Sequence, residues 1–315
     1  MAKIAITLGD PTGIGPEIVL KVLKKYSFDH TIILYGAFPE NIRIPKFSVI
    51  HEAKEIEGVD KGVYWVPYKQ DSSFVSGKPS RESGIAAYNA IKTAGEHALD
   101  GFIDAIITAP ISKHYIQLTH SNFIGHTEFF ARQAQCSEVV MSFFSDKLNV
   151  ALLTTHCALY EVSSNLTIEN VVKKIHIINN SLKKFFHITK PKLAILGLNP
   201  HAGENGAFGK EEVEILQPAT VILQNEGVEI DGPFPADTFF AGDYHKYDMI
   251  ISPYHDQGLI PFKMLSFDAG VNVTLGLPYI RTSVDHGTAF DIAGKGMASQ
   301  RSLFEAIALA IKMLS

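Results

Sequence analysis

Short runs of consecutive apolar residues recur along the chain, separated by stretches whose apolar positions return every three to four residues. The runs at residues 3–8 (KIAITL), 31–35 (TIILY), 102–108, 139–144, 148–154, 192–198 and 247–251 predict strands, several of them buried on both faces. The periodic stretches predict helices over residues 17–26, from Ser80 or Ser83 to about 99, and over 127–135, 167–186, 210–224 and 301–314. Pro16 suits a first helical turn, Glu17 complements the positive end of that helix, and Ser80 or Ser83 supplies a side-chain cap. Residues 36–79 show neither period, apart from a strand-like piece at 62–66. Helices alternating with short apolar strands predict an α/β fold with largely parallel sheets.

Composition narrows the class. A chain of 315 residues exceeds what one core usually takes, so two lobes with an active site in the cleft between them are expected. With 46% hydrophobic and 19% charged residues it reads as a soluble enzyme, and the net charge of -5 without a Lys/Arg run excludes a nucleic-acid footprint. The first residues, MAKIAITLGD, lack the apolar core of a signal peptide, and no apolar run is long enough to span a bilayer. The only cysteines, Cys136 and Cys157, argue against a disulfide scaffold, and the expected location is cytoplasmic.

Candidate chemistry concentrates in residues 252–296, where His255, Asp256, Lys263, Asn272, Arg281, Asp285, His286 and Asp291 lie among glycines and apolar residues. Charged groups beside an apolar wall point to a binding site. His255 also belongs to a wider pattern: LNVALLTTH ends on His156, KLAILGLNPH on His201 and YDMIISPYH on His255. Each follows the C-terminal end of an apolar strand, where open α/β sheets place ligands, and three converging imidazoles would hold a divalent metal. Asp256 is either a partner of the neighbouring imidazole or a helix cap. The remaining histidines, including His51, His97, His176 and His187, read as structural.

Lys263, Asn272 and Arg281, at expected strand or loop positions, suit a phosphate or carboxylate. His126 and Thr127 follow Gly125 at the expected start of a helix, where backbone N–H groups favour an anion. The N-terminal GDPTGIGPE is not a GxGxxG dinucleotide pattern, and a tight strand-to-helix turn accounts for its glycines.

Taken in order, GDPTGIGPE (9–17), GHTE (125–128), TTH (154–156), LNPHAGE (198–204), GP with PADT (232–233, 235–238), YHDQGL (254–259), RTS (281–283) and DHGTA (285–289) resemble the 4-hydroxythreonine-4-phosphate dehydrogenases over nearly the full length. The N-terminal turn and HGTAFDIAGKG also resemble loops of the isocitrate and isopropylmalate dehydrogenases. The resemblance implies a two-lobed α/β/α fold of that kind. A discontinuous first lobe, residues 1–125 and 270–315, would be the cofactor side, and residues 126–269 the metal and dimer side.

The same resemblance implies a divalent metal (zinc, magnesium or cobalt) at His156, His201 and His255, shared between the subunits of a homodimer. It implies substrate contacts from His126, Thr127, Lys263, Asn272 and Arg281, and an NAD or NADP site lined by the loop at 286–296, with Asp285, His286, Gly287, Thr288 and Asp291. The implied reaction oxidises 4-phosphooxy-L-threonine and decarboxylates the product, in pyridoxine 5'-phosphate biosynthesis. Lys263 and Asp237 are the candidate bases. Paralogous dehydrogenases of D-threonate or D-erythronate 4-phosphate are the nearest alternative. A metal-dependent hydrolase or aldolase, or a phosphate acyltransferase, is the alternative of another class.

Overall fold

The computed structural model describes residues 1–68, 73–267 and 269–315. The chain divides into two compact units, residues 1–137 with 277–315, and residues 138–276.

The first unit opens with β1 (Lys3–Thr7), α1 (Gly15–Lys25), β2 (Thr31–Gly36), β3 (Ser48–Val49) and β4 (Val63–Pro67), then α2 (Arg81–Leu99), β5 (Ala105–Thr108), α3 (Lys113–Gln117) and α4 (His126–Gln133). Its strands are parallel in the order β3-β4-β2-β1-β5, with Ile4 opposite Ile32 on one side and Ala105 on the other. The central place of β1 explains its uninterrupted apolar run, since Ile4, Ala5 and Ile6 have no exposed surface. The turn from β1 into α1 brings backbone against backbone: a Cβ on Gly15 would strike the Leu8 carbonyl, so only glycine fits. α2 begins with a reciprocal cap in which Ser80 Oγ accepts from Ser83 N at 3.1 Å and Ser83 Oγ accepts from Ser80 N at 3.0 Å. Ser83 Oγ also donates to the buried Asp10 carboxylate at 3.2 Å, tying the turn to the helix. Burial pushes the Asp10 pKa up, against the lowering effect of its hydrogen bonds from Thr12 and Ser83.

The second unit comprises β6 (Val140–Phe144), β7 (Val150–Leu152), α5 (Val162–Asn165), α6 (Ile168–Phe185), β8 (Leu193–Leu196), α7 (Gln217–Asn225), β9 (Ile230–Phe234), α8 (Ala236–Phe239), β10 (Met249–Ser252), α9 (His255–Ser266) and β11 (Val271–Leu275). Its strand order is β11-β6-β7-β10-β8-β9. β6 runs antiparallel to both neighbours, and β7, β10, β8 and β9 are mutually parallel. Val150, Leu152, Ile250, Ala194 and Leu196 from the parallel strands form a core with Phe143, Phe239, Leu259 and Phe262.

One of these elements, β9, has no counterpart in the sequence-based reading, and another, α9, runs against it. β9 contains Gly232 and Pro233, and it forms because an edge strand tolerates a residue without an N–H. α9 contains Gly258 and Pro261, yet it buries Gly258, Leu259, Phe262 and Ser266 along one face. Burial there outweighs local propensity, so Lys263 lies on a helix and not on a strand or loop.

The chain returns to the first unit through β12 (Ile280–Ser283), parallel to β5 with Arg281 opposite Ile106, and ends in α10 (Arg301–Leu314), whose Leu303, Ala306, Ile307 and Ala310 are buried. α4 packs on α2 in the first unit, and β11 pairs with β6 in the second. The sequence-based boundaries at 125/126 and 269/270 had assigned these two short elements the other way. No helix among the described residues is long and apolar enough to cross a membrane.

Candidate active site

In the first unit, β12 and α4 bring together groups suited to an anion. Arg281 is 3% exposed, and its Nη2 donates to Thr108 Oγ1 at 2.7 Å. Thr108 Oγ1 in turn donates to Ser283 Oγ at 3.0 Å, and the guanidinium lies 6.0 Å from the centre of the Phe130 ring. Burial brings the Arg281 pKa down to about 10, so the group is still charged at neutral pH. His126 opens α4. Its Nε2 is closed off from solvent and has no hydrogen-bond partner. Burial, reinforced by the positive charges of Arg281 and Lys113, holds its pKa well below the usual 6.5, so the ring is neutral. A neutral imidazole with an orphaned nitrogen, a buried cation and the N-terminal N–H groups of α4 form a cradle that a phosphate would satisfy. Thr127, the second residue of α4, is half-buried.

Sequence reasoning missed two neighbours of this cradle. Lys113 Nζ lies 3.5 Å from the position a Gly125 Cβ would occupy, which places an ammonium against the start of α4. Tyr279 is 6% exposed, and its hydroxyl has no hydrogen-bond partner; burial pushes the phenol pKa up. Lys113 follows the end of β5 as the three histidines follow their strands, and that position was the available signal.

In the second unit, the strands that precede the three histidines are adjacent: β10 lies between β7 and β8, all parallel. Their C-terminal ends therefore fall on one edge of the sheet. The centres of the His156 and His255 rings are 6.1 Å apart, and His255 Nδ1 pairs with Asp256 Oδ1 at 2.7 Å, which leaves Nε2 as the nitrogen for a further ligand. Asp256 is thus the partner of an imidazole within the first turn of α9, not a cap before it.

His201 begins a run of left-handed backbone, with φ of 54° at His201, 50° at Ala202, 77° at Gly203, 42° at Glu204 and 56° at Asn205. Each non-glycine residue there costs roughly 1–2 kcal/mol, so the surroundings must over-determine the turn. They do so through Glu212, fully buried, whose carboxylate accepts from Asn199 N at 2.7 Å and from Asn199 Nδ2 at 2.9 Å. The His201 ring lies 6.2 Å from that of Phe208. Among the described residues no three His, Cys, Asp or Glu side chains form a ready cation site in the single chain. The imidazole donors themselves suit zinc, cobalt and similar divalent ions.

Lys263 is half-buried on α9, and Asn272 lies on β11 opposite Phe143. Asp237 is exposed in the first turn of α8, without the enclosure expected of a tuned base.

The loop between β12 and α10 carries Asp285, His286, Gly287, Thr288 and Asp291. Asp285 N donates to Ser302 Oγ at 3.3 Å, and Thr288 O accepts from Ile14 N at 2.9 Å, so the loop lies on the turn that starts α1. His286 and Asp291 are exposed.

The profile described as "Pyridoxal phosphate biosynthetic protein PdxA" matches residues 24–310. The chain belongs to the PdxA family. The 4-hydroxythreonine-4-phosphate dehydrogenase of Sulfurihydrogenibium sp. (strain YO3AOP1) is 44% identical over 318 residues, covering 99% of this chain and 98% of the relative. The D-threonate 4-phosphate dehydrogenase of Salmonella typhimurium is 40% identical, covering 98% of each chain. The crystal structure of the 4-hydroxythreonine-4-phosphate dehydrogenase from Klebsiella pneumoniae superposes with a TM-score of 0.88 at 35% identity, over 100% of both chains. An isocitrate dehydrogenase from Methylococcus capsulatus superposes with a TM-score of 0.54 at 14% identity, covering 100% of this chain and 86% of that one, a likeness of fold alone. The expected isocitrate dehydrogenase-like α/β class holds. Relatives that are dehydrogenases make this chain an oxidoreductase and imply a nicotinamide cofactor and a divalent metal.

Proposed function

We propose that the chain oxidises 4-phosphooxy-L-threonine at C3 with NAD+ or NADP+, giving 2-amino-3-oxo-4-phosphooxybutanoate, which loses CO2 to form 3-amino-2-oxopropyl phosphate in pyridoxine 5'-phosphate biosynthesis. Beside the family assignment, one observation carries the reading: a buried arginine next to a neutral histidine whose buried Nε2 lacks a partner. A dianionic phosphate supplies what both groups need. With Nδ1 unprotonated, His126 donates from Nε2 to a phosphate oxygen, Arg281 balances charge, and the N–H groups of Thr127 and its neighbours donate along the helix axis. Lys263 and Asn272 are the further substrate groups.

In the oxidation the C3 hydride passes to nicotinamide and the hydroxyl proton to a base. Lys263 and Asp237 both stay candidates, Lys263 being the more enclosed. The β-keto acid then breaks its C1–C2 bond, CO2 leaves, and C2 takes a proton. His156, His201 and His255 would hold a divalent ion, which would supply Lewis acidity for the oxidation and the decarboxylation. The approach of the His156 and His255 rings supports a shared metal site, and the homodimer in which a second copy would complete it is what the family resemblance implies. Nitrogen donors favour zinc or cobalt over magnesium. Asp285, His286, Gly287, Thr288 and Asp291 form the nucleotide side.

Reduction of NAD+ and NADP+ should be followed with 4-phosphooxy-L-threonine and with D-threonate and D-erythronate 4-phosphates, before and after chelation and metal add-back. Metal-dependent reduction with the amino-acid phosphate is the expected result. Reduction with a sugar-acid phosphate alone would move the chain to the activity named for its Salmonella relative. No reduction with any of them would return the hydrolase and acyltransferase readings.

A further inference from the structure

The loop that follows β12 is gripped at two points, and the second grip uses charged side chains that no metal or substrate role accounts for. Its front is held by the Ile14 N to Thr288 O bond at 2.9 Å. Its rear is held by Glu17 and Lys21, one turn apart on α1. Glu17 is 7% exposed, and its Oε2 accepts from Gly294 N at 3.0 Å and Gly296 N at 3.2 Å, while Oε1 accepts from Ala298 N at 3.1 Å. Lys21 Nζ pairs with Glu17 Oε1 at 2.9 Å and donates to Gly296 O at 2.9 Å and Ala298 O at 2.6 Å.

The ion pair thus binds both the N–H and the C=O of residues 296 and 298. Gly294 and Gly296 have φ of 75° and 72°, a conformation that glycine leaves at little cost; turn bonds from Ile292 N to Ala289 O at 3.1 Å and from Lys295 N to Ile292 O at 3.2 Å hold the part before Gly296, and the clamp fixes residues 296 and 298. A helix dipole alone would be served by any exposed acidic residue in the first turn. Burying a carboxylate under three backbone donors goes further, because each such bond orients a peptide unit.

We propose that Glu17 and Lys21 are positioning residues for the nicotinamide nucleotide: they fix residues 294–298, and through them the segment from Thr288 to Ala293, in the shape that binds the dinucleotide. The proposal rests on the assignment of the 286–296 loop to the cofactor. Neither side chain touches the nucleotide. Both act through the loop backbone, and so set nucleotide affinity without setting phosphorylated-substrate affinity. Glutamine at position 17 keeps the volume but turns one acceptor oxygen into a donor facing N–H groups, and methionine at position 21 keeps the apolar stem while losing the ammonium.

The test uses the full-length, metal-loaded protein. Hydrogen exchange of residues 287–298 is measured with and without NAD+ or NADP+, and the dissociation constant of the nucleotide is measured directly by titration without turnover. The wild-type loop should gain protection on nucleotide binding; a bound nucleotide that leaves it unprotected overturns the cofactor assignment and the proposal with it. With that protection seen, Glu17→Gln and Lys21→Met should each weaken nucleotide binding about tenfold, speed exchange over 294–298, and change KM for the phosphorylated substrate less than about twofold. Unchanged nucleotide affinity in both variants overturns the clamp and leaves the cofactor assignment standing. Equal losses for nucleotide and phosphorylated substrate, with a lowered melting temperature, assign the pair a structural role only and likewise overturn it. Should Glu17→Gln fail to fold, Lys21→Met, on a side chain 30% exposed, carries the same test.

Discussion

The two units hold their chemistry in opposite states. In the first, Arg281 is buried, fastened to Thr108 and faced by Phe130, and the neighbouring His126 is kept neutral by its surroundings. In the second, His156 and His201 are exposed, His255 is half-buried, and the rings that meet are a pair. The contrast follows from what each group requires. A guanidinium is costly to remove from water, so one that is buried must be held by the folded chain itself. A metal-binding imidazole has to keep a lone pair available, so folding can leave it open until an ion fixes it. On the proposed reading, the first region is organised by folding and the second by binding.

The comparison breaks most visibly on the metal side. His255→Ala should strip the metal and lower kcat/KM by about 10³-fold, read by elemental analysis and steady-state kinetics together. A variant that keeps both wild-type metal content and turnover takes His255 out of the site. On the folded side, Arg281→Lys should raise KM for the phosphorylated substrate by about 10²-fold while metal content stays at the wild-type level, because a point-charge ammonium does not reproduce the planar fork. Loss of metal in that variant would mean that the two regions are not independently organised.

A smaller effect tests whether His126 is held neutral by the fold. Its folded pKa lies well below 6.5, so the unfolded chain binds the proton first as the pH falls. Its contribution to stability is therefore full above about pH 6.5 and is lost on going lower, towards the folded pKa. The melting temperature of the wild type should drop more between pH 7.5 and 5 than that of His126→Gln, which has nothing to titrate there. Parallel pH profiles would show that the site is not what depresses the stability. The smallest effect serves as a control. Thr167 caps α6 by accepting from Asn170 N at 3.2 Å, and Thr167→Ala should remove about 1 kcal/mol of stability with metal content and KM unchanged.

Much of the architecture was legible because it is local. The run KIAITL reads as a buried strand from its own residues and forms β1, and a histidine following such a strand sits at its C-terminal end. What misled was also local. Lys263 was expected on a strand or loop and lies on α9, and no strand was expected where β9 forms. In both places the neighbouring sheet supplied the deciding contacts.

By itself, the sequence determined the order of most strands and helices, the family, and the placement of His156, His201 and His255 at strand ends, because each is written in a few consecutive residues. The tertiary structure alone decided that β7, β10 and β8 are neighbours, that Arg281 is buried against Thr108, 173 positions away, and that Glu17 reaches the backbone of Gly296, 279 positions away. Burial, pKa and strand adjacency are sums over contacts between distant residues. No window of the chain contains both partners.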